Sequence, residues 1–340
     1  MTTALVPTGV PALPDKPADG PMLIGCILDG RGGATEIDWQ TARSWAPSRS
    51  GEVLWLHLDR MYEDLDDWLI ESLNLCEATA ELLLSNETRP RAFRERDSLI
   101  TVLRGINFNP GAEPEDMIAM QIWSDGERLI TLRRRRLQTP RDIHQELLAG
   151  RGPCSAGDLF TTLAEQLVIK MNYSIVDMND RIDEMEEDDD TDVDELLSEI
   201  ATIRRNCLAL KRYMSPQHEA MLAIQKTPPP WLSEDNLSDI REIGERLKRY
   251  LEDLDVSKES AIVLQDDLNN RAQAKMNQTM YMLSIVAAIF LPLGFLTGLL
   301  GINVGGMPGV DSSNAFWITC SALVILMGFQ FFIFRKLKWL

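Results

Sequence analysis

The sequence has little of the chemistry that most enzymes and metal-binding modules use. It contains only three histidines, which stand far apart along the chain. Its five cysteines form no CxxC pair, so we expect isolated buried thiols and neither a disulfide framework nor a zinc knuckle. A P-loop, a Gly-x-Ser-x-Gly turn and an HExxH helix are also missing. We therefore predict that the protein is not an enzyme and has no cofactor.

Charge is missing from one end of the chain. The whole sequence has a formal net charge of -18, yet the segment from Met280 to Phe334 carries a single charged side chain, Asp311. Two apolar runs, 280–300 and 315–334, would each be about 30 Å long as helices, enough to cross the hydrocarbon core of a bilayer. We predict two transmembrane helices attached to an acidic soluble body, for which no nucleic-acid partner is expected.

The charges that flank these runs predict their orientation. Arg271 and Lys275 precede the first run, and Arg335, Lys336 and Lys338 follow the second, whereas the connection between them has no Lys or Arg. By the positive-inside rule, both ends of the hairpin should lie in the cytoplasm. The connecting loop should then face the outside.

Strand and helix patterns alternate in the first half of the chain. Five runs rich in branched aliphatic residues predict strands, and Trp123–Glu127 predicts a hairpin turn between the last two. Two amphipathic runs follow, at 158–185 and 196–224, and we expect them to pack antiparallel. The acidic stretch 182–196 between them should form a solvated helix tip. These patterns predict an α+β cytoplasmic domain whose strand order stays open.

A helical pattern then starts at Ser233, a predicted N-cap, and continues without a stop signal into the first apolar run. It predicts a long stalk helix that becomes the first transmembrane helix. The predicted segments are a disordered tail (1–20), the cytoplasmic α/β domain (21–153), cytoplasmic antiparallel helices (154–232), the stalk and first transmembrane helix (233–300), a periplasmic loop (301–314), the second transmembrane helix (315–334) and a basic cytoplasmic tail (335–340).

One face of the first transmembrane helix carries small, polar or flexible residues at alternating steps of three and four. They are Asn277, Met280, Ser284, Ala287, Leu291, Gly294 and Gly298. Such a stripe suits close helix packing in lipid, and it equally suits the wall of a pore. Two helices cannot enclose a water-filled path, so the hairpin is either an anchor or one part of an assembly that pools its helices.

The end of this helix resembles a known family. The run from Met276 to Asn303, the following Met307-Pro308 and the basic end Lys338-Trp339-Leu340 resemble the CorA superfamily of divalent-cation channels. The segment GINVGGMPG, with LKRYMSPQHEA and RYLEDLD upstream, is similar to the ZntB branch, zinc transporters of bacterial inner membranes. The superfamily usually has Gly-Met-Asn where this chain has Gly301-Ile302-Asn303. Gly309 likewise stands where an acidic residue typically follows Met-Pro.

The resemblance implies a CorA-like, funnel-shaped homopentamer in which the long helix lines the funnel and then the pore. The implied lining is Asn277, Met280, Leu283, Ser284, Ala287, Leu291, Gly294 and Gly298. At the outer entrance, Asn303 would hold a hydrated divalent ion through water, because zinc bound directly would favour Cys, His or carboxylate ligands. Gly301 would give the turn its backbone freedom, Ile302 would pack behind the ring, and Asp311 is a second candidate metal site.

Zinc uptake across the bacterial inner membrane is the expected function, with Co²⁺, Ni²⁺, Cd²⁺ and Mg²⁺ as further candidate ions. The resemblance also raises proton coupling, although neither membrane helix offers a protonatable carboxylate or histidine. Two alternatives stay open. One is a Mg²⁺, Co²⁺ or Ni²⁺ channel of the same architecture, and the other is a membrane-anchored metal-sensing domain whose hairpin only anchors it.

Overall fold

A computed structural model describes residues 20–49, 51–113, 115–188, 191–302, 309 and 312–336, and these residues form seven strands and nine helices. The chain divides into two compact units, Met1–Leu264 and Gln265–Leu340. The predicted tail at 1–20 lies outside the described residues except for Gly20.

One mixed sheet is the frame of the first unit. Its strands are β1 (Met22–Leu28), β2 (Ala34–Glu36), β3 (Val53–Asp59), β4 (Arg91–Glu95), β5 (Ser98–Gly105), β6 (Ile118–Ser124) and β7 (Arg128–Arg133). Their spatial order is β2-β1-β3-β7-β6-β5-β4, with β3 and β7 parallel and the other neighbouring pairs antiparallel. The five predicted strands are confirmed. The sequence did not predict β2 and β4, because β2 has three residues and neither strand contains a fully buried residue.

The predicted hairpin turn between β6 and β7 is also confirmed. Gly126 has a φ of 94°, in the left-handed region that glycine adopts at little cost. The Asp125 carboxylate accepts hydrogen bonds from the main-chain N–H groups of Glu127 (3.1 Å) and Arg128 (2.8 Å). This side chain therefore satisfies turn donors that would otherwise be left without partners.

Both faces of the sheet are buried, so its central strands are apolar almost throughout. Helices α1 (Trp39–Arg43), α2 (Leu65–Leu73) and α3 (Glu77–Leu84) contribute to the apolar core on one face. The central members of that core are Leu54, Leu56, Leu58, Leu69, Leu83, Ile130 and Leu132. Helices α4 (Gln138–Leu148) and α5 (Ala156–Ile169) follow β7 in the chain, and α5 packs against β5 and β7. A Cβ added to Gly105 would lie 2.5 Å from Leu167 Cδ2, so glycine permits this close approach.

A buried polar network crosses from β3 to β7. Trp55 Nε1 donates to Thr131 Oγ1 (3.1 Å), and His57 Nδ1 lies 2.9 Å from the same oxygen. The Thr131 hydroxyl donates to the main-chain oxygen of Leu56 at 3.1 Å. Because Trp55, His57 and Thr131 are at most 1% exposed, the network satisfies groups that water cannot reach.

Two long helices follow α5, namely α6 (Met171–Glu187) and α7 (Val193–Lys226). The first predicted amphipathic run therefore forms two helices, divided at Lys170. Cys207 Sγ lies 3.8 Å from Met178 Sδ, and Arg181 Nε donates to Glu199 Oε1 at 2.8 Å. Later residues of α6 thus meet earlier residues of α7, which confirms the antiparallel packing.

Helix α8 (Glu234–Leu300) has 67 residues, and α9 (Ala315–Lys336) is the second apolar helix. Ser233 Oγ accepts a hydrogen bond from Asn236 N at 3.1 Å, so the predicted N-cap is confirmed. Lys211 Nζ, 2.6 Å from Asp255 Oδ1, ties the first-unit part of α8 to α7. The α/β domain, the long helix and the second apolar helix are all confirmed.

Candidate functional site

Helices α8 and α9 are long and apolar enough to cross a membrane, and the apolar window of each is unburied in the single chain. A soluble protein would bury such surface in its core, because exposed apolar area is unfavourable in water. The second unit therefore has the surface of a membrane-embedded hairpin.

The predicted lining residues all lie on α8, and each is exposed in the single chain. The apolar side chains of this stripe are prominent: Met280 is 58% exposed, Leu283 64% and Leu291 72%. A different set of α8 residues is half-buried: Ile285, Ala288, Ile289, Leu293 and Leu296. At 3.6 residues per turn, these two sets lie on roughly opposite sides of the helix. The stripe thus lies within the exposed part of α8, which also includes Phe290 and Phe295, and it is free to meet another chain or an aqueous path.

The polar groups on this face are neutral, and several are engaged within the helix. Ser284 Oγ donates to the main-chain oxygen of Met280 at 2.8 Å, which leaves the lone pairs of the hydroxyl oxygen as acceptors. The Asn277 carbonyl oxygen accepts from Gln273 Nε2 at 3.2 Å. The stripe therefore offers an ion weak dipoles and apolar walls, and it offers no charged ligand.

Helix α8 ends at the motif that the sequence singled out. Gly301 N lies 3.0 Å from the main-chain oxygen of Thr297 and 3.2 Å from that of Gly298, so it extends the helical hydrogen bonding to the last turn. Ile302 is 47% exposed in the single chain. The predicted cation residue Asn303 and the second metal candidate Asp311 lie outside the described residues.

The first unit offers no competing metal centre among its described residues, where no three His, Cys, Asp or Glu side chains are grouped closely enough to hold an ion. Burial lowers the pKa of His57 well below its ordinary value of 6.5, and the neighbouring charge of Arg133 adds to this effect. Burial likewise lowers the pKa of His144, although the nearby Glu36 opposes the shift. His57 thus belongs to strand β3 of the packed sheet, and His144 is a buried residue of helix α4.

The five cysteines differ in burial: two are buried, two are exposed, and Cys320 on α9 is half-buried. Cys26 and Cys207 are buried, and burial raises the pKa of their thiols to about 12 and about 11. The thiolate form that metals bind is therefore disfavoured at both. The prediction of buried thiols is wrong for Cys76 and Cys154, which are exposed, because each lies at the boundary of a helix where a side chain points to solvent.

One polar residue of the membrane hairpin was missed. Gln330 is half-buried on α9, and its Oε1 has no hydrogen-bond donor within the part of the chain that the structure describes. An amide in hydrocarbon commonly bonds to another helix, since lipid offers it no partner. It is the only Asn or Gln within the second apolar run, and that isolation is the signal by which the sequence could have identified it.

Comparisons with known sequences agree with this arrangement. A family model described as "CorA-like Mg2+ transporter protein" matches residues 50–336. The divalent cation transporter CmaX of Pseudomonas aeruginosa is 38% identical over 94% of this chain and 97% of its own length. The zinc transport protein ZntB of Pectobacterium atrosepticum is 34% identical over 92% of this chain and 94% of its own length.

Solved structures give the same fold. Full-length CmaX has a TM-score of 0.81 at 37% identity and matches 95% of this chain and 99% of its own. The CorA magnesium transporter of Methanocaldococcus jannaschii has a TM-score of 0.76 at 14% identity, over 93% of this chain and 99% of its own, and this likeness concerns the fold alone. The chain therefore belongs to the CorA-like Mg²⁺ transporter family, whose members are transporters and not enzymes, and it is a divalent-cation transporter of the CorA and ZntB type.

Proposed function

We propose that this protein takes up Zn²⁺ across the bacterial inner membrane through a pore that five copies of the chain form together. The observation that carries the proposal is the uncharged, exposed stripe of α8, which lies opposite the half-buried face and leads to Gly301 and Ile302. The similarity to ZntB proteins supports zinc as the ion, and the similarity to CmaX supports divalent cations more generally.

The pooling of several copies follows from the size of the hairpin. Two membrane helices per chain cannot surround a water-filled path, so α8 helices from different copies must share an axis. The stripe suits such an axis, because Gly294 and Gly298 have no side chain and let neighbouring helices approach closely. The number five comes from the resemblance to the CorA superfamily, and both chain ends are proposed to lie in the cytoplasm.

Asn303 is the proposed outer ring, where amide dipoles hold a divalent ion that keeps its water. The C-terminal end of α8 supports this assignment, because the helix dipole places about half a negative elementary charge on the last carbonyl groups. Several helix ends around one axis would add their potentials there. A mouth of this kind attracts a cation without binding it so tightly that release becomes slow.

Below the ring, Leu291, Leu283 and Met280 are proposed to narrow the path. Apolar constrictions can gate by excluding water, so closure needs no charged gate. The membrane potential sets the direction, since a divalent ion moving to a negative interior gains about 4.6 kcal/mol per 100 mV. Uncoupled flow is therefore uptake.

Ion flux in proteoliposomes tests the proposal. The purified protein is reconstituted with a zinc-sensitive dye inside the vesicles, and Zn²⁺ is compared with Mg²⁺, Co²⁺ and Ni²⁺. Asn303→Ala should reduce zinc influx strongly, whereas Gln278→Ala, an exposed amide of α8 on the side away from the stripe, should not. If Asn303→Ala leaves the flux unchanged, the ring assignment is wrong.

The same vesicles distinguish the alternatives. A channel selective for Mg²⁺, Co²⁺ or Ni²⁺ would conduct those ions in preference to Zn²⁺, and a membrane-anchored metal sensor would conduct none. Proton coupling predicts that a pH gradient accelerates zinc influx. Equal influx with and without the gradient would exclude coupling.

A further inference from the structure

Four consecutive arginines converge on one pocket of the first unit, in a chain whose net charge is -18. The pocket has a volume of about 410 Å³, which is in the range of small-molecule sites. Its lining consists of Asp59, Asn107, Asn109, Ala112, Arg133, Arg134, Arg135 and Arg136. Four of the eight residues that line this pocket are thus arginines and one is a carboxylate, within a protein that is acidic overall.

The place of the pocket in the fold is the place where α/β sheets commonly bind ligands. β3 and β7 are parallel, and their last residues, Asp59 and Arg133, are paired side by side. Ligands of open α/β sheets bind at the carboxyl ends of parallel strands. Helix α4 starts at Gln138, two residues after Arg136, so the positive end of its dipole follows the arginine run directly.

The walls of the pocket are held in place by hydrogen bonds. Asn109 Nδ2 donates to Asn107 Oδ1 at 2.7 Å and to the main-chain oxygen of Arg136 at 3.1 Å. Asn107 is 3% exposed, so this anchor belongs to the packed interior. The main chain at Arg136 is therefore held in one conformation before any ligand binds, which lowers the entropic cost of binding.

Arg134 of this run also repels a buried neighbour, Arg60. Arg60 is 7% exposed, and burial, together with the charge of Arg134, lowers its pKa. Asn86 Oδ1 is shared between Arg60 Nη2 (3.2 Å) and Arg134 Nη1 (3.3 Å). Arg135 is exposed and makes no hydrogen bond or ion pair among the described residues. Like charges held this close favour an anion that would neutralise them.

We infer that this pocket binds a soluble compound carrying two or more phosphate groups. Guanidinium groups match phosphate oxygens in paired, charge-assisted hydrogen bonds, and an oligophosphate concentrates several negative charges in a small volume. The exposed Arg134 and Arg135 contact the phosphates, and the buried Arg133 and half-buried Arg136 form the base of the pocket. The site lies in the first unit, so its ligand is distinct from the transported ion.

Binding to the full-length protein in detergent tests the inference without a transport assay. Inorganic tripolyphosphate and ATP are titrated calorimetrically in metal-free buffer, with sulfate as the control anion. We expect saturable binding of both phosphate compounds, which weakens as salt concentration rises. The double variant Arg134→Ala/Arg135→Ala should bind at least about tenfold more weakly, since hydrogen bonds to charged groups are lost. The variant Arg31→Ala/Arg49→Ala, which removes the same charge from exposed positions outside the pocket, should bind like the wild type.

Several results would overturn the inference. They are the absence of saturable binding, equal affinity for sulfate, and an unchanged dissociation constant in the Arg134/Arg135 variant. Phosphatidylglycerol added to the detergent distinguishes a lipid headgroup from a soluble ligand, and a response to the lipid alone would contradict the assignment. A smaller oligomer in the Arg134/Arg135 variant, measured by light scattering, would instead make this surface a contact between copies of the chain.

Discussion

Replacing Leu291 by Ser should open the proposed apolar constriction. Leu291 is 72% exposed in the single chain and belongs to the stripe that we assign to the pore. Hydrating a whole leucine side chain costs about 1.5–3 kcal/mol, so at this exposure each copy opposes wetting of the path by about 1–2 kcal/mol. Since 1.4 kcal/mol is a factor of ten, we expect the loss of this barrier from one copy to raise the zinc leak roughly five- to thirtyfold.

Leu293 provides the matched control for this experiment. It is the same residue type, two positions further along α8, and it is half-buried on the opposite side of the helix. Zinc influx into dye-loaded proteoliposomes is measured for both variants at equal protein density. Leu293→Ser should leave the leak near the wild-type level. An unchanged leak in Leu291→Ser, or an equal rise in both variants, would refute the assignment of the stripe to the pore.

Three further predictions concern the pore face and the sheet. Ala287→Phe should block zinc influx, because it puts a large side chain on the stripe assigned to the pore. Ala288→Phe, one residue away on the half-buried face, should affect influx less, and equal inhibition by the two variants would contradict the assignment of the stripe to the pore. Thr131→Val should lower the free energy of unfolding of the first unit by about 1–3 kcal/mol, because it leaves the buried Trp55 Nε1 without an acceptor; denaturant unfolding followed by tryptophan fluorescence measures the loss. The lowered pKa of His57 means that the unfolded chain binds the proton more readily, so stability is full above pH 6.5 and declines as the pH falls below it. A His57→Asn variant should show a flatter profile between pH 6.5 and 5, and an unaltered slope would assign the effect to other groups.

The membrane hairpin, the long helix and most strands could be predicted from the sequence because each depends on local chemistry. Two uncharged runs of spanning length are sufficient to identify membrane helices, and a three-four periodicity without a stop signal is sufficient for α8. The stripe from Asn277 to Gly298 was also visible in the sequence, although packing and pore lining stayed equally open. Strands β2 and β4 escaped prediction, because neither contains a fully buried residue and so neither has the apolar pattern of a core strand.

Tertiary structure alone decided which distant residues meet. The parallel pairing of β3 with β7 joins segments about seventy residues apart, and no local pattern predicts a pairing at that separation. This pairing turns a run of four arginines into one wall of a pocket beside Asp59. The fold also decided which side of α8 is half-buried, since periodicity defines a face but cannot say what lies against it. The sequence by itself determined that two uncharged helical segments span the membrane. The packing of strands and helices determined that the four consecutive arginines line one pocket, because only the fold places them beside Asp59.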